Sequence, residues 1–174
     1  MLQKGLIHVY MGDGKGKTTA ALGLALRMAG RGGRVVLAQF LKSENSGERA
    51  ALRQLPGVTL LPLPEQVKFV FQMTPEEKAA YAEETRRALR GAAEESRKAD
   101  LLILDEALGA LETGLLSLEE LLRFLDGKPA GLEVVLTGRA APQLLLDRAD
   151  YITRMDKVKH PYDRGIAARK GIEY

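Results

Sequence analysis

The sequence contains no cysteine and no tryptophan, and it has only two histidines, His8 and His160. Without cysteine, disulfides, thiolate metal sites and a cysteine nucleophile are excluded. The two histidines do not have the spacing of a zinc site. The sequence also lacks the G-x-S-x-G motif of serine hydrolases and a carboxylate arrangement that would suggest glycoside chemistry. It therefore gives little support to catalysis by a protein nucleophile or a histidine base.

Long apolar runs and a strong excess of one charge are also missing. No apolar segment approaches the ~20 residues that a membrane span needs, and no signal-peptide pattern is present. The net charge is only +3, from 26 basic and 23 acidic residues, which is too small to indicate nucleic-acid binding by itself. We therefore expect a cytoplasmic protein without a membrane or nucleic-acid partner.

Apolar segments of two kinds alternate along the 174 residues. Short, almost continuous apolar runs are typical of buried parallel strands, and longer segments with helical spacing follow them. This order predicts one α/β domain, 1–174, of the P-loop NTPase-like class, with a mostly parallel sheet and helices on both faces. We expect strands at 6–11, 34–40, 58–61, 101–104, 132–136 and 151–155. We expect helices at 17–29, 48–55, 74–98, 117–127 and 141–148, a helix or loop at 107–116, a loop at 42–47 and irregular chain at 62–73.

The segment GDGKGKTT lies between the first strand and the first helix, where phosphate-binding loops occur. It is one residue shorter than the usual G-x-x-x-x-G-K-[ST], because Met11 stands where the first glycine would be. Glycines at alternate positions leave backbone N–H groups open to a phosphate, and a helix N-terminus attracts anions. The alternative is a glycine-rich turn with exposed lysines. We predict that ATP contacts Gly12, Asp13, Gly14, Lys15, Gly16, Lys17, Thr18 and Thr19.

Two neighbouring positions of the loop have distinct expected roles. The ammonium of Lys17 would supply a mobile positive charge, and the hydroxyl of Thr18 would face a phosphate-bound magnesium ion. Asp13 is unfavourable beside phosphate, so its side chain either points outward or accepts from loop amides.

A second acidic position follows the very apolar strand at 101–104. A carboxylate at the end of such a strand orients magnesium in many nucleotide-binding sheets, and Mg²⁺ needs few protein ligands beside phosphate and water. Glu106 is the first choice as a ligand and Asp105 the second, together with Thr18. On its own, the pair Asp105–Glu106 could equally be a helix cap.

Two further features have open interpretations. Arg139 follows the strand at 132–136, so it lies at the same edge of the sheet and could reach a phosphate oxygen; spacing alone equally allows a surface turn. Phe69 and Phe71 lie in the irregular segment and could either pack on the core or line a pocket for a large flat ligand.

Taken together, the motifs resemble the P-loop ATP:corrinoid adenosyltransferases, the cob(I)alamin adenosyltransferase family, from Gly5 to Tyr174. The resemblance rests on the short loop followed by TTAALG, on AQFLK before Gly47–Glu48, and on LILDE at 102–106. It rests most of all on VVLTGR at 134–139 and on the tail MDKVKHPYDRGIAARKGIEY at 155–174. Each of these motifs is weak alone, but together they are specific.

The resemblance implies an activity. In this family, cobalt(I) of a reduced corrinoid attacks the 5′ carbon of ATP, and the whole triphosphate leaves. ATP would then lie on the short loop in reversed polarity, with Lys17 and Arg139 as the catalytic residues that neutralise the leaving group. The implied substrates are ATP and a corrinoid, with Mg²⁺ as cofactor. The family also implies a homodimer and a reductase or flavodoxin-like electron donor.

In several relatives, the segment before the long helix carries a phenylalanine and, two residues later, a tryptophan, and the two rings flank the corrin ring. Here Phe69 takes the first place and Phe71 stands where the tryptophan would be. By resemblance these two rings would contact the corrinoid and help to expel its lower ligand.

Two other functions remain open at the level of sequence. A generic P-loop ATPase or kinase would split ATP at the terminal phosphate and release ADP. A nucleotide-regulated binding module would use the basic tail for nucleic acid or protein, and the modest net charge argues against it.

Overall fold

A computed structural model describes residues 2–44 and 46–173 of the chain. Met1, Asn45 and Tyr174 lie outside the described residues. The expected loop at 42–47 includes Asn45, and the expected domain 1–174 includes all three. That one domain spans the chain remains a prediction.

The described chain forms a six-stranded sheet in the order β3-β2-β4-β5-β1-β6, with every pairing parallel. The strands are β1 (Ile7–Met11), β2 (Val35–Gln39), β3 (Val58–Leu60), β4 (Leu101–Asp105), β5 (Glu133–Thr137) and β6 (Tyr151–Arg154). The helices are α1 (Lys17–Ala29), α2 (Gly47–Leu52), α3 (Pro75–Ser96), α4 (Ala107–Glu112), α5 (Leu118–Asp126) and α6 (Gln143–Leu146). One turn of 3-10 helix lies at Val70–Gln72 and another at Pro161–Arg164.

Successive side chains of a strand point to opposite faces of the sheet. The central strands are buried on both faces because helices cover each of them. In β4, Leu102 and Leu104 join the larger core with helices α3 to α6, whereas Leu101 and Ile103 join the smaller core with α1 and α2. The α/β class with helices on both faces is therefore confirmed. A strand covered on both faces has no polar alternation, which explains its continuous apolar run.

Local signals fix several helix ends. The side chain of Thr74 accepts from the N–H of Glu77, and the carboxylate of Glu77 accepts from the N–H of Thr74, which is the capping box expected for α3. Helix α2 ends at Leu52, three residues before the expected end, because the residue before Pro56 disfavours helical backbone. The segment at 107–116, expected as helix or loop, is helical over Ala107–Glu112 and then turns.

All strands run in parallel, so their carboxyl ends meet at one edge. The last residues of β2, β4 and β5 are Gln39, Asp105 and Thr137, and all three are buried polar side chains. Gln39 pairs with Asp105 in the sheet register. Ligands of open α/β sheets bind at this edge, so the fold gathers these side chains beside the glycine loop that follows β1.

No helix in the described ranges has both the length and the apolar character that crossing a membrane requires.

Candidate active site

The glycine loop has a backbone that only glycine permits at two positions. Gly12 and Gly16 have φ values of +116° and +113°. Residues that carry a Cβ atom strongly disfavour this backbone conformation. A Cβ atom on Gly12 would also lie 2.3 Å from the carbonyl oxygen of Met155. The loop glycines are therefore required by backbone geometry as well as by access to phosphate.

The loop rests on the chain that follows β6. The N–H of Gly14 donates to the carbonyl of Met155 over 2.7 Å, and the N–H of Gly12 donates to the carbonyl of Arg139 over 2.8 Å. These bonds tie the short loop to both neighbouring strands of β1. The closeness of Met155 also gives the tail motif a local structural role.

The side chain of Asp13 is exposed, as the outward orientation, one of the two expected from sequence, would leave it. Its Oδ1 accepts from the N–H of Lys157 over 3.0 Å. That backbone hydrogen bond lowers the pKa of the exposed Asp13 carboxyl below its usual range. Asp13 therefore holds the segment after β6 against the loop.

Lys17 and Thr18 begin α1 and face the site. The ammonium of Lys17 donates to the carbonyl of Gly14 over 2.7 Å, so its side chain folds back across the loop. Thr18 instead turns toward the sheet edge, where its hydroxyl donates to Oδ1 of Asp105 over 2.8 Å. Lys15 and Thr19 are exposed.

Asp105 is the centre of a hydrogen-bond cluster. Its side chain has no exposed surface. Oδ1 also accepts from the hydroxyl of Thr137 over 2.7 Å, while Oδ2 accepts from Lys42 over 2.7 Å and from Gln39 over 3.2 Å. Burial would raise the pKa of Asp105, but the ammonium of Lys42 and the hydrogen bonds outweigh burial and hold this pKa below its ordinary value. Asp105 is therefore an ionised carboxylate that orients Thr18.

Glu106 follows in an unusual backbone conformation. Its φ is +58°, and its N–H donates to the hydroxyl of Thr137 over 2.9 Å. A positive φ at a residue other than glycine is uncommon and often marks a functional position. Burial, and then the charge of Asp105, raise the pKa of the Glu106 carboxyl.

A cavity of about 920 Å³ opens between the glycine loop, α1 and α2. Lys17, Thr18 and Glu106 line it together with Lys42 and Glu48, and residues 171–173 of the tail close another side. Leucines of α1 and α2 provide an apolar end. The cavity thus combines cationic groups, carboxylates and apolar surface, as a nucleotide site does.

A buried arginine sets the orientation of Gln39. Arg49 is only 1% exposed, and its guanidinium donates to Oε1 of Gln39 over 2.9 Å. The same guanidinium donates to the carbonyl of Leu61 and makes two hydrogen bonds with Glu44. Because Oε1 of Gln39 is engaged by Arg49, the amide NH₂ faces Asp105 and Glu48. Arg49 thereby acts on the site through Gln39.

The remaining residues expected from sequence lie farther out. Arg139 is exposed, its carbonyl accepts from the loop, and its charge acts on Glu106. Phe69 and Phe71 are 69% and 82% exposed, so neither packs into the core. Their rings stack with centroids 5.4 Å apart, and they do not line the 920 Å³ cavity.

The structure brings together Thr18, Asp105, Glu106 and Lys17, and it adds Gln39, Lys42, Arg49 and Thr137, to which sequence reasoning gave no role in the site. Gln39 and Thr137 end their strands at the site edge, a signal that could have found them. Lys42 lies in the quoted AQFLK motif, three residues after β2. Nothing in the sequence indicated a buried role for Arg49, because arginine is rarely buried so completely.

The donors at this edge fit a hard cation. Thr18, Asp105 and Glu106 offer only oxygen, which suits Mg²⁺. Within residues 2–44 and 46–173, no three histidine, aspartate or glutamate side chains gather as a metal site would require.

Two solved structures share the fold. A KaiC-like protein, PH0186, from Pyrococcus horikoshii superposes with a TM-score of 0.52 at 18% identity, over 88% of this chain and 73% of that one. The cytoplasmic domain of EssC gives a TM-score of 0.53 at 17% identity, over 98% of this chain and 35% of that one. These matches bear on the fold alone, and they confirm the P-loop NTPase-like class.

Sequence comparison is more specific. The chain is 35% identical to a corrinoid adenosyltransferase of Escherichia coli K12 over 173 residues, covering 99% of this chain and 87% of that one. It is 33% identical to a corrinoid adenosyltransferase of Pseudomonas aeruginosa, covering 99% and 85%. The family model described as ATP:corrinoid adenosyltransferase BtuR/CobO/CobP matches residues 3–174. The chain therefore belongs to the ATP:corrinoid adenosyltransferase family.

Proposed function

We propose that this chain transfers the 5′-deoxyadenosyl group of magnesium-bound ATP to cobalt(I) of a reduced corrinoid and releases triphosphate. The observation that carries this proposal is the buried cluster in which Asp105 orients Thr18 beside the glycine loop. Family membership supplies the reaction class, and the cavity supplies room for the nucleotide.

Magnesium would be held by the hydroxyl of Thr18 and the carboxylate of Glu106. Asp105 supports this role for Thr18 because it takes the hydroxyl hydrogen and leaves the oxygen lone pairs to a cation. Asp105 itself accepts four hydrogen bonds, so it serves better as an orienting group than as a ligand. Magnesium would supply charge neutralisation on the triphosphate.

The reaction needs no proton transfer. The electron pair of cobalt(I) forms the new cobalt–carbon bond at the 5′ carbon, and the pair of the breaking carbon–oxygen bond leaves with the triphosphate. Negative charge therefore grows on the leaving oxygen. Lys17 and Arg139 lie near the loop and would stabilise that charge, while the loop amides and Thr18 fix the triphosphate in line for attack.

The corrinoid would meet the ring pair Phe69 and Phe71. Their large exposed surface and parallel stacking support a contact with a flat apolar ligand. A phenylalanine at position 71 offers a smaller face than the tryptophan of several relatives. The apolar contact would disfavour the lower ligand of the corrinoid and ease reduction of the cobalt.

We further propose a cytoplasmic homodimer whose bound corrinoid is reduced to cobalt(I) by electrons from a reductase or flavodoxin-like donor. The dimer is supported by the edge strand β6, in which Tyr151 and Ile152 are 51% and 49% exposed. Strands of parallel sheets are normally covered on both faces. We therefore propose that a second copy of the chain covers the exposed side chains of β6.

Anaerobic incubation with ATP, Mg²⁺ and chemically reduced cobalamin tests the reaction. The corrinoid spectrum should change to that of adenosylcobalamin, and triphosphate should appear in equal amount. Release of ADP without a cobalt–carbon product would instead support an ATPase or kinase. A salt-sensitive complex with polynucleotide and no product would support a binding module.

A further inference from the structure

The ammonium of Lys42 contacts Asp105 and also the oxygen of Thr18, which is a proposed magnesium ligand. Its Nζ is 2.7 Å from Oδ2 of Asp105 and 3.3 Å from Oγ1 of Thr18. The carboxylate of Glu48 is 3.7 Å away. The side chain of Lys42 is 23% exposed and lines the 920 Å³ cavity. A positive charge of the protein itself therefore lies against the oxygen of Thr18, one of the two proposed magnesium ligands.

The contact with Thr18 uses the part of the hydroxyl that a metal would use. The hydrogen of Thr18 Oγ1 is directed to Asp105. An ammonium has only donors, so Lys42 meets a lone pair of the same oxygen. Magnesium bonds such an oxygen at roughly 2.0–2.1 Å. The metal and the ammonium would then lie within a few ångströms of each other, and their repulsion disfavours occupancy of both positions.

We propose that Lys42 is an internal placeholder cation: it neutralises Asp105 until magnesium and ATP enter, and it then moves its ammonium onto the triphosphate. This inference rests on the proposed function, because it assumes the magnesium site at Thr18. The exchange keeps a positive charge next to Asp105 before and after binding. A buried carboxylate without such a partner is strongly unfavourable.

The destination follows from the cavity. Lys42 and Lys17 line the same space as the glycine loop. A lysine has a flexible four-carbon stem, so its ammonium can move several ångströms while its backbone stays fixed. A bound triphosphate would offer several anionic oxygens to the displaced ammonium. Lys42 would then join Lys17 in stabilising the leaving group.

Binding of Mn²⁺ alone, followed by electron paramagnetic resonance without nucleotide, tests the placeholder role. The wild-type chain should bind Mn²⁺ weakly, and Lys42→Met should bind it at least about tenfold more tightly, because the competing charge is gone. The exposed Lys78→Met is the matched control and should behave as wild type. Equal Mn²⁺ affinity in wild type and Lys42→Met would overturn the proposal.

A second variant locates the gained ion. Thr18→Val combined with Lys42→Met should lose the added Mn²⁺ affinity, whereas its persistence would place the ion elsewhere and overturn the proposal. If Lys42→Met does not fold, the wild-type chain still decides: tight nucleotide-free Mn²⁺ binding that Thr18→Val removes would contradict competition by Lys42, and weak binding would support it.

Steady-state kinetics test the second half of the proposal. Lys42→Met should lower kcat by roughly tenfold to a hundredfold, since one charge on the leaving group is lost. An unchanged kcat would reject that role. Failure of the magnesium site itself has a separate signature: wild-type protein would then form no complex with Mn²⁺ and ATP together. If that complex forms but Lys42→Met gains no Mn²⁺ affinity, only the inference about Lys42 fails.

Discussion

The hydroxyl of Thr18 donates a hydrogen bond to Oδ1 of Asp105 over 2.8 Å, across 87 positions of sequence. This bond joins the first turn of α1 to the end of β4. It fixes the hydroxyl hydrogen and thereby directs the oxygen lone pairs toward the cavity. Thr18 is thus oriented before any ligand arrives, which is how preorganised sites limit reorganisation during reaction.

Thr18→Val should remove the proposed ligand oxygen while keeping the volume of the side chain. We expect adenosylation to fall by roughly a hundredfold or more, with a higher Mg²⁺ concentration needed for half-maximal rate. Titration of activity against Mg²⁺ at fixed ATP measures this. Thr59→Val is the control, because Thr59 is exposed on β3 at the edge of the sheet. Unaltered Mg²⁺ dependence in Thr18→Val would rule out the ligand role.

Lys17→Ala should lose stabilisation of the departing triphosphate. We expect kcat to fall by roughly a hundredfold to a thousandfold, with a smaller change in ATP affinity measured by calorimetry. Lys98→Ala, at an exposed lysine after α3, serves as the comparison. Full activity in Lys17→Ala would show that the glycine loop is not the site of the reaction.

Glu106→Gln should separate stability from metal binding. The pKa of Glu106 is raised above 4.5, so between that value and the raised pKa the folded chain keeps a proton that the unfolded chain has lost. The free energy of unfolding therefore falls as pH rises through this window, and ionised Glu106 costs stability at neutral pH. Glu106→Gln should have a higher Tm than wild type at pH 7, and the difference should vanish below about pH 4.5.

The same Glu106→Gln variant should bind Mg²⁺ with ATP at least about tenfold more weakly. Thermal unfolding across pH measures stability, and calorimetry measures binding. A lower Tm at neutral pH would contradict the direction of the pKa shift, and unchanged Mg²⁺ dependence would make Asp105 the better candidate for the ligand.

Arg49→Met should be strongly destabilising. Removing the guanidinium leaves the buried Oε1 of Gln39 and the carbonyl of Leu61 without their donor, and loss of one member of a buried ionic network costs about 3–5 kcal/mol. Urea unfolding measures the change. Arg53→Met is the matched control: its side chain is 52% exposed and also pairs with Glu44, so its loss should cost no more than about 1 kcal/mol. Similar costs for the two variants would disprove the importance of the buried position.

The double variant Phe69→Ala/Phe71→Ala should weaken corrinoid binding with little effect on folding. Both rings are mostly exposed, so they contribute little to stability, within roughly 0.5 kcal/mol. The KM for corrinoid should rise and the yield of reduced cobalamin on the enzyme should fall. The affinity for ATP should not change. Leu144→Ala, at another exposed apolar position, is the control. Unchanged corrinoid affinity and adenosylation in the double variant would remove the rings from the site.

Much of the fold could be predicted because local signals and global packing agree. Continuous apolar runs such as Leu101–Leu104 became central strands, and Thr74 began α3 as its capping pattern predicted. Helix ends were predicted less well. Helix α2 was expected to reach Leu55 but ends at Leu52, and a turn leads from there to Pro56. The choice between core and surface for Phe69 and Phe71 had no local signal, because two aromatic residues in irregular chain can pack either way.

The sequence by itself determined the class of the chain and the chemistry available to it. The glycine-rich segment with Lys17 and Thr18, the apolar run followed by Asp105–Glu106, and the absence of cysteine are properties of the sequence in any conformation. Only the tertiary structure decided which oxygens face one another. Asp105 became the buried orienting carboxylate, Glu106 turned into the cavity, and Lys42 reached the oxygen of Thr18. These relations depend on the order of parallel strands, which brings distant residues to one edge, and no local pattern in the sequence encodes that order.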